Sequence, residues 1–304
     1  MSSTLPAPSP ASRNRASGPD RERRSGCVLK ISCIFVTWNS RDFIDDSIGR
    51  LHASMDPSEI VVVDNGSTDG TVELLKQRYP QVTVLALPVN TGFAGGNNFG
   101  IKFALAAGYD AVFLLNVDTI IDNDFITPCI QALEAHPEVG VIGPVVLEAY
   151  QDGIIQCEGG RIIPALGDFS YRNRGRKYVC ADNLIDVGYV LGAAMMIRRE
   201  VIERVGYFDE DYFPAYAEEA DFCYRARRAG FRCVVQQQAT IRHIGEQSSG
   251  GRQKAFNRIS THRFYFAIKH LGPASFTLAS LLIVARVLYW KCRSFVRSLA
   301  VREG

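Results

Sequence analysis

From residue 28 onward, short apolar runs alternate with amphipathic stretches along the chain. Ile31, Cys33, Ile34, Phe35 and Val36 form a run with β-branched and aromatic members, the pattern of a strand buried on both faces. The polar turn Thr37-Trp38-Asn39-Ser40 ends it. Helical spacing through Phe43, Ile44, Ile48 and Leu51 follows, and then a second buried strand, Ile60 to Val63, stops at Asp64. The same rhythm predicts a helix around 72–79, a strand over 82–87, a helix over 97–107 and a strand over 111–117 that ends at Asp118. A helix near 124–136 and a strand over 139–146 complete it. Strand and helix repeating in units of about thirty residues predict right-handed crossovers and a mostly parallel sheet sandwiched by helices. Such sheets hold ligands at the carboxyl ends of their strands, where this chain places polar residues at 37–40, 64–69 and 116–118.

After Glu148 the rhythm breaks, and residues 150–186, rich in Gly and Arg, read as loops and minor strands. A strand is predicted at Gly188 to Ile197. A helix is predicted at Glu218 to Ala229, with Glu218, Glu219 and Asp221 in its first turn, Arg225, Arg227 and Arg228 towards its end and Gly230 as its stop. Two short extended pieces, Phe231 to Val235 and Thr240 to His243, come next.

The ends of the chain differ in composition from its middle. Residues 1–26 are rich in Ser, Pro, Ala and Arg with no apolar run, which predicts a disordered basic arm and no signal peptide. Leu271 to Ala285 carries no charge, but Arg286 interrupts before Leu288, Tyr289 and Trp290, and Lys291, Arg293, Arg297 and Arg302 follow. A bilayer span needs about twenty apolar residues, so an interfacial or partly inserted helix is expected, with a core or oligomer-interface helix as the alternative. The division is therefore an arm at 1–26, a catalytic-type domain at 27–250 and C-terminal helices at 251–304 that can meet a membrane.

Composition narrows the function. The 304 residues are 47% hydrophobic and 22% charged, and a net charge of +2 from 34 basic and 32 acidic side chains gives no cationic field for nucleic acid. Eight cysteines stand singly, without a CxxC pair, which excludes a signalled zinc or redox motif and suits a reducing cytosol.

The segment Val61-Val62-Val63-Asp64-Asn65-Gly66-Ser67-Thr68-Asp69-Gly70-Thr71 places a carboxylate at the end of a buried strand, followed by a Gly turn and a helix start. Asp64 is thereby an acceptor suited to the imide N–H of uracil or thymine. This segment resembles the family 2 glycosyltransferases of the GT-A fold. The resemblance continues through Phe35-Val36-Thr37-Trp38-Asn39, Asn90-Thr91-Gly92-Phe93-Ala94-Gly95-Gly96-Asn97-Asn98 and Leu115-Asn116-Val117-Asp118. It extends to Gly192-Ala193-Ala194-Met195-Met196, Val205-Gly206-Tyr207-Phe208-Asp209-Glu210 and Glu218-Glu219-Ala220-Asp221-Phe222, covering roughly residues 30 to 245 in order. The Asn-x-Gly-Phe-Ala-Gly-Gly-Asn form is similar to the branch with bacterial rhamnosyltransferases and galactofuranosyltransferases.

The resemblance implies an α/β GT-A fold with a C-terminal helical extension, and an inverting, metal-dependent transfer of a sugar. Asp118 takes the place of the family's aspartate that binds Mg2+ or Mn2+ with the donor diphosphate, although Asn116 stands where relatives carry an acid and Val117 where they often have Pro. His243 matches a histidine that completes the metal or diphosphate site. Donor-binding residues are then Thr37, Asn39, Asp64, Asn65, Gly92, Phe93, Gly95, Asn97, Asn116 and Asp118, with the glycines ahead of their helix either cradling the donor or simply packing closely. Glu219 holds the position of the general base, where the family usually has Asp; Asp221 orients the acceptor or supports the turn, and Glu218 and Gly192 lie on the acceptor side.

The favoured donor is deoxythymidine diphosphate (dTDP) rhamnose, the acceptor a glycan or lipid-linked glycan. The expected location is cytoplasmic, peripheral at the inner face of the cell membrane, with room for a homo-oligomer. Two competing readings stay open. A sugar-phosphate nucleotidyltransferase would need a glycine in the first loop, where Thr37-Trp38-Asn39-Ser40-Arg41 has none, and a non-catalytic nucleotide-sugar scaffold would not need the acids at 64, 118, 219 and 221.

Overall fold

The computed structural model describes residues 29–51, 55–164, 168–245 and 252–300. The arm expected at 1–26 and the boundary at 250/251 lie outside the described residues. The first half alternates as predicted, with the short strand β5 added: β1 (Ile31–Thr37), β2 (Ile60–Asp64), α1 (Thr71–Arg78), β3 (Thr83–Ala86), α2 (Gly92–Ala106), β4 (Ala111–Asn116), β5 (Thr119–Ile120), α3 (Ile126–Ala135) and β6 (Val139–Glu148). Then come β7 (Ile155–Cys157), β8 (Gly160–Ile163), β9 (Asp168–Tyr171), β10 (Leu184–Asp186), β11 (Ala194–Arg198), α4 (Arg199–Val205), α5 (Glu218–Arg228), β12 (Arg232–His243), α6 (Arg252–His270) and α7 (Pro273–Ala300).

The main sheet runs β10-β12-β6-β11-β4-β1-β2-β3, with β5 on β12 and β7 on β6, and β8 pairs with β9 apart from it. β1 is parallel to β2 and β4, β2 to β3, and β12 to β6. Strand alternation feeds two cores. Cys33, Phe35, Val62, Phe113 and Leu115 face the layer with Ile44, Ile48 and α3 residues Ile126, Cys129 and Leu133. Ile34, Val61, Val63, Val112 and Leu114 face α2, α4 and α5 through Ile101, Ala104, Val201, Ile202, Phe222 and Ala226.

Several elements differ from the sequence expectation. β11 enters antiparallel between β4 and β6, so the β4-to-β6 step is not a simple crossover between neighbours. Only its end was legible as strand, because Gly188–Ala193 forms the loop that brings it back into the sheet. The amphipathic stretch at 43–51 winds as a 3-10 turn, Arg41–Phe43, and a wide five-residue turn, Asp45–Gly49, in place of an α-helix. α2 starts at Gly92, so Gly92, Gly95 and Gly96 lie inside the helix that they were expected to precede. Their role there is close approach: a Cβ at Gly96 or Gly100 would stand 2.6 Å from the Val36 or Ile34 side chain of β1. The two extended pieces near the end form one strand, β12, with an irregularity between Gln236 and Thr240.

At the C-terminus α7 buries Ala279 and Ile283 and exposes Leu278, Leu281, Leu282, Val284, Leu288 and Tyr289. Among the described residues, no helix is long and apolar enough to cross a membrane.

Candidate active site

The carboxyl ends of the parallel strands form the floor of the site. Register puts Thr37 of β1 beside Asp64 of β2, and Val36 beside Asn116 of β4. Asp64 is buried, and its Oδ1 accepts from the hydroxyls of Thr37 (3.0 Å) and Ser67 (2.5 Å) while Oδ2 accepts from the Ser67 N–H (2.9 Å). An ionised carboxylate offers about four acceptor directions, so one remains. Asn39, in a left-handed conformation (φ 49°), ties the two loops by accepting the Thr68 N–H at 2.8 Å. Asn65 accepts from Thr91 N–H and hydroxyl and donates to Gly92 O at 2.9 Å, and Asn97 donates to Phe93 O at 2.9 Å. The amides of Asn65 and Asn97, expected to bind the donor, therefore spend these groups on the chain itself. The N–H of Gly92 and that of Phe93 are likewise taken, by Asn90 Oδ1 and Pro214 O, both at 2.8 Å, so they cradle no anion.

Beyond this platform a cleft is lined by Phe93, Asn116, Asp118, Gln156, Tyr171, Gly192, Tyr216, Glu218, Glu219 and His243. Its wall at Gly192 is tight, since a Cβ there would lie 2.9 Å from the Phe93 ring. Asp118 meets His243 because β5 pairs with the end of β12, opposing Thr119 and His243. His243 Nε2 lies 3.1 Å from Asp118 Oδ1 and 3.3 Å from Asn116 Nδ2, and its Nδ1 lies 2.8 Å from Gln156 Oε1. Gln156 donates its amide to Glu148 and to the His243 carbonyl, so its oxygen faces the ring and the proton sits on Nδ1. Nε2 thus faces the Asp118 carboxylate with the Asn116 amide beside it. An imidazole nitrogen and a carboxylate oxygen side by side are both atoms able to ligate a cation. Burial would raise the Asp118 carboxyl, but the His243 contact overrides it and holds it below the usual range. Among the described residues no cluster of three or more His, Cys, Asp or Glu side chains could hold a metal by protein ligands alone.

On the opposite wall, α5 opens on two non-glycine residues in left-handed conformations, Tyr216 (φ 87°) and Ala217 (φ 77°). This turn buries both acids that follow. Burial and the neighbouring Glu219 push the Glu218 carboxyl well above its ordinary value, and its Oε2 has no hydrogen-bond partner. Burial pushes Glu219 up to about 7, although backbone N–H groups of Glu219 and Ala217 pull the other way. A carboxyl that titrates near neutrality in a cleft can exchange a proton with a bound hydroxyl.

Asp221, expected to orient the acceptor or to support the turn, is not among the residues that line the cleft. It is fully buried against α6, 2.6 Å from His270 Nε2, 2.9 Å from Lys269 Nζ and 2.8 Å from Arg225 Nε. Burial alone would raise it, yet these partners hold it at about 2. Held by Arg225, Lys269 and His270 and well below the usual carboxyl range, it has no role as a base, and it supports the turn. Gln156, Tyr171 and Tyr216 were missed because residues 150–186 and the 213–217 turn carry no local periodicity. His262 and His270, given no role by sequence, pack on the α5 turn.

The profile described as Glycosyl transferase family 2 matches residues 32–206. An N-acetylglucosaminyl-diphospho-decaprenol L-rhamnosyltransferase of Mycobacterium tuberculosis is 28% identical over 302 residues, 89% of this chain and 97% of that protein. A low-salt glycan biosynthesis hexosyltransferase of Haloferax volcanii is 30% identical over 65% of this chain and 62% of its own length. Among solved structures, a mannosyltransferase from Pyrobaculum calidifontis in complex with GDP-Man and Mn2+ superposes with a TM-score of 0.57 at 16% identity, over 91% of this chain and 81% of that one. GalNAc-T7 with UDP, GalNAc and Mn2+ gives 0.57 at 14% identity, over 78% of this chain and 48% of the other. The architecture they share with this chain is the GT-A fold.

Proposed function

The chain belongs to glycosyltransferase family 2, and from that premise we propose that it moves a sugar, rhamnose in first place, from a nucleoside diphosphate sugar to a hydroxyl of a glycan or lipid-linked glycan. The observation that carries this reading is one cleft holding both a buried carboxyl poised near neutrality, Glu219, and the paired Asp118 and His243. Glu219 takes the proton of the acceptor hydroxyl as that oxygen bonds to the anomeric carbon, and the bond to the diphosphate oxygen breaks on the opposite face with inversion. Glu218, buried with a free oxygen on the same wall, receives a second hydroxyl of the acceptor. Asp64 reads the nucleobase with its remaining acceptor direction.

Asp118 and His243 fit a divalent cation as two of its ligands, because a carboxylate oxygen and an imidazole nitrogen stand side by side in the cleft and Gln156 fixes the imidazole from behind. Such an ion, Mg2+ or Mn2+, supplies positive charge to the leaving diphosphate when bound. Support for rhamnose and for a lipid-linked acceptor comes from the mycobacterial relative and its printed activity. The exposed apolar residues of α7 suit a membrane surface, the setting of such an acceptor at the cytoplasmic face.

The test is calorimetry with a panel of nucleotide sugars, with and without Mn2+, followed by transfer to an N-acetylglucosaminyl diphospholipid and determination of the product's anomeric configuration. Metal-dependent binding of dTDP-rhamnose and an inverted product are expected. A retained configuration, or no nucleotide sugar bound, overturns the reading.

A further inference from the structure

The cleft wall that carries Glu218 and Glu219 is held by α6. His262, buried on α6, lies with Nδ1 2.7 Å from the carbonyl oxygen of Tyr216, and its ring meets Tyr212 edge-on at 5.4 Å. Two turns on, Lys269 and His270 pair with Asp221, and Tyr265 donates to Asp209 at 2.9 Å. The same helix reaches the other side of the cleft. Arg263 donates to Phe169 O and pairs with Asp168 Oδ1, each at 3.0 Å, and Phe266 packs on Phe169 with centroids 4.9 Å apart. Asp168 and Phe169 belong to β9, whose Tyr171 lines the cleft.

Tyr216 and Ala217 each adopt a backbone conformation that non-glycine residues avoid, and consecutive residues of this kind persist only where their surroundings impose them. The turn is useful because its backbone favours the ionised form of both acids and so opposes the effect of burial. Nothing local in the sequence supplies the left-handed turn, since neither position is Gly, Asn or Asp. A hydrogen bond from a buried side chain of α6 holds the carbonyl inside this turn.

We propose that α6 is a brace for the catalytic turn and that His262 is its positioning residue, gripping the Tyr216 carbonyl so that Glu219 is held against the acceptor hydroxyl. The proposal rests on the reading of Glu219 as the base. Burial depresses the His262 imidazole and Arg258 adds repulsion, so the ring is neutral and donates through Nδ1–H. The groups facing Glu219 from the elements around it are Glu218 on its own helix, Cys157 of β7, Tyr171 of β9, Tyr189 and Cys223; those facing His262 are Tyr212, Arg258 and the backbone of Phe213 and Tyr216.

The experiment compares His262→Ala, His262→Asn and Glu219→Gln in the full chain. The probe is release of dTDP from dTDP-rhamnose in the presence of Mn2+, where water takes the place of the acceptor, read as kcat, KM and the pH dependence of kcat. Hydrogen exchange of the 213–219 segment is read alongside and needs no substrate. His262→Ala is expected to lower kcat on the order of tenfold or more and to leave the donor KM within about twofold. Its acid limb moves to higher pH, because the carboxylate loses N–H groups that favour its ionised form, and exchange in the turn rises. Asn carries an N–H close to the place of Nδ1 and should restore the native limb and protection. If His262→Ala is not recovered folded, His262→Asn with a native limb against His262→Gln with a shifted one makes the same comparison. An unmoved limb and unchanged exchange in the alanine variant, or a lost kcat that Asn does not restore, overturns the brace. Native turnover by Glu219→Gln overturns instead the assignment of the base, whatever the histidine variants do.

Discussion

At the ends of β1 and β2, Asp64 is buried yet accepts three hydrogen bonds from Thr37 and Ser67, whereas at the start of α5 Glu218 is as deeply buried with one oxygen lacking any partner. Asn65 and Asn97 on the strand-end side are likewise saturated by the chain, while Glu219 opposite them is pushed up to about 7. One side of the site is a finished platform whose polar groups hold loops in place. The other carries desolvated acids pushed above their ordinary values, the environment in which functional carboxyls cluster. An acidic residue near a cleft is thus informative only together with its partners. Asp221 makes the same point from the opposite direction, because three basic partners hold it low two positions from Glu219.

The largest expected effect breaks the reactive side. Glu219→Gln keeps size and hydrogen bonding but accepts no proton, so transfer should fall on the order of a hundredfold to ten-thousandfold with nucleotide affinity kept, measured by steady-state kinetics and calorimetry. In the native chain kcat/KM should fall as pH drops through about 7, because the base must be ionised. Next is the inert acid. Asp221→Asn strands Lys269, His270 and Arg225 and should cost about 3–5 kcal/mol in denaturant unfolding. Asp221 is depressed in the folded chain, so its stabilisation is present above about pH 4, the ordinary carboxyl value, and is lost as pH falls towards about 2. An unfolding series against pH should follow that sign.

Asp118→Ala is expected to remove most of the Mn2+ dependence of donor binding, leaving the weaker metal-free affinity seen by calorimetry. Asp64→Ala sharpens the contrast on the platform side. It orphans the buried Thr37 hydroxyl, so about 1–3 kcal/mol of stability should go with part of the nucleotide affinity, with or without metal. The smallest effect is on the chemistry of the cleft: truncation after Gly272 should leave dTDP binding unchanged and abolish co-sedimentation with anionic vesicles.

The strands β1 to β4 and β6 were legible because each is a local apolar run of the right length, and Asp64 and Asp118 because they end such runs. The antiparallel entry of β11 was not, since its partners β4 and β6 are chosen by tertiary packing. The start of α2 was hidden by glycines, which read as a loop by propensity but are required where the helix touches Val36 and Ile34. Glu218 and Glu219 were visible as a cluster of acids. What separates them from Asp221 is α6, whose His270 lies 49 residues further on, beyond the reach of local pattern.

β12 has one more consequence. Its first part, Arg232–Gln236, advances beside β6 until Gln236 faces Pro144, and pairing resumes with Thr240 facing Val145. The residues between act as an expansion joint within a single strand. Gln237 is held there by Tyr178, Asn183 and Glu158, so a one-residue deletion at 237–239 loses local contacts while the stretch Thr240–His243 keeps its phase against β6 and β5. The same deletion inside Thr240–His243 is a change of parity. Every side chain beyond it turns over, and the imidazole aimed at Asp118 is sent to the opposite face of the sheet.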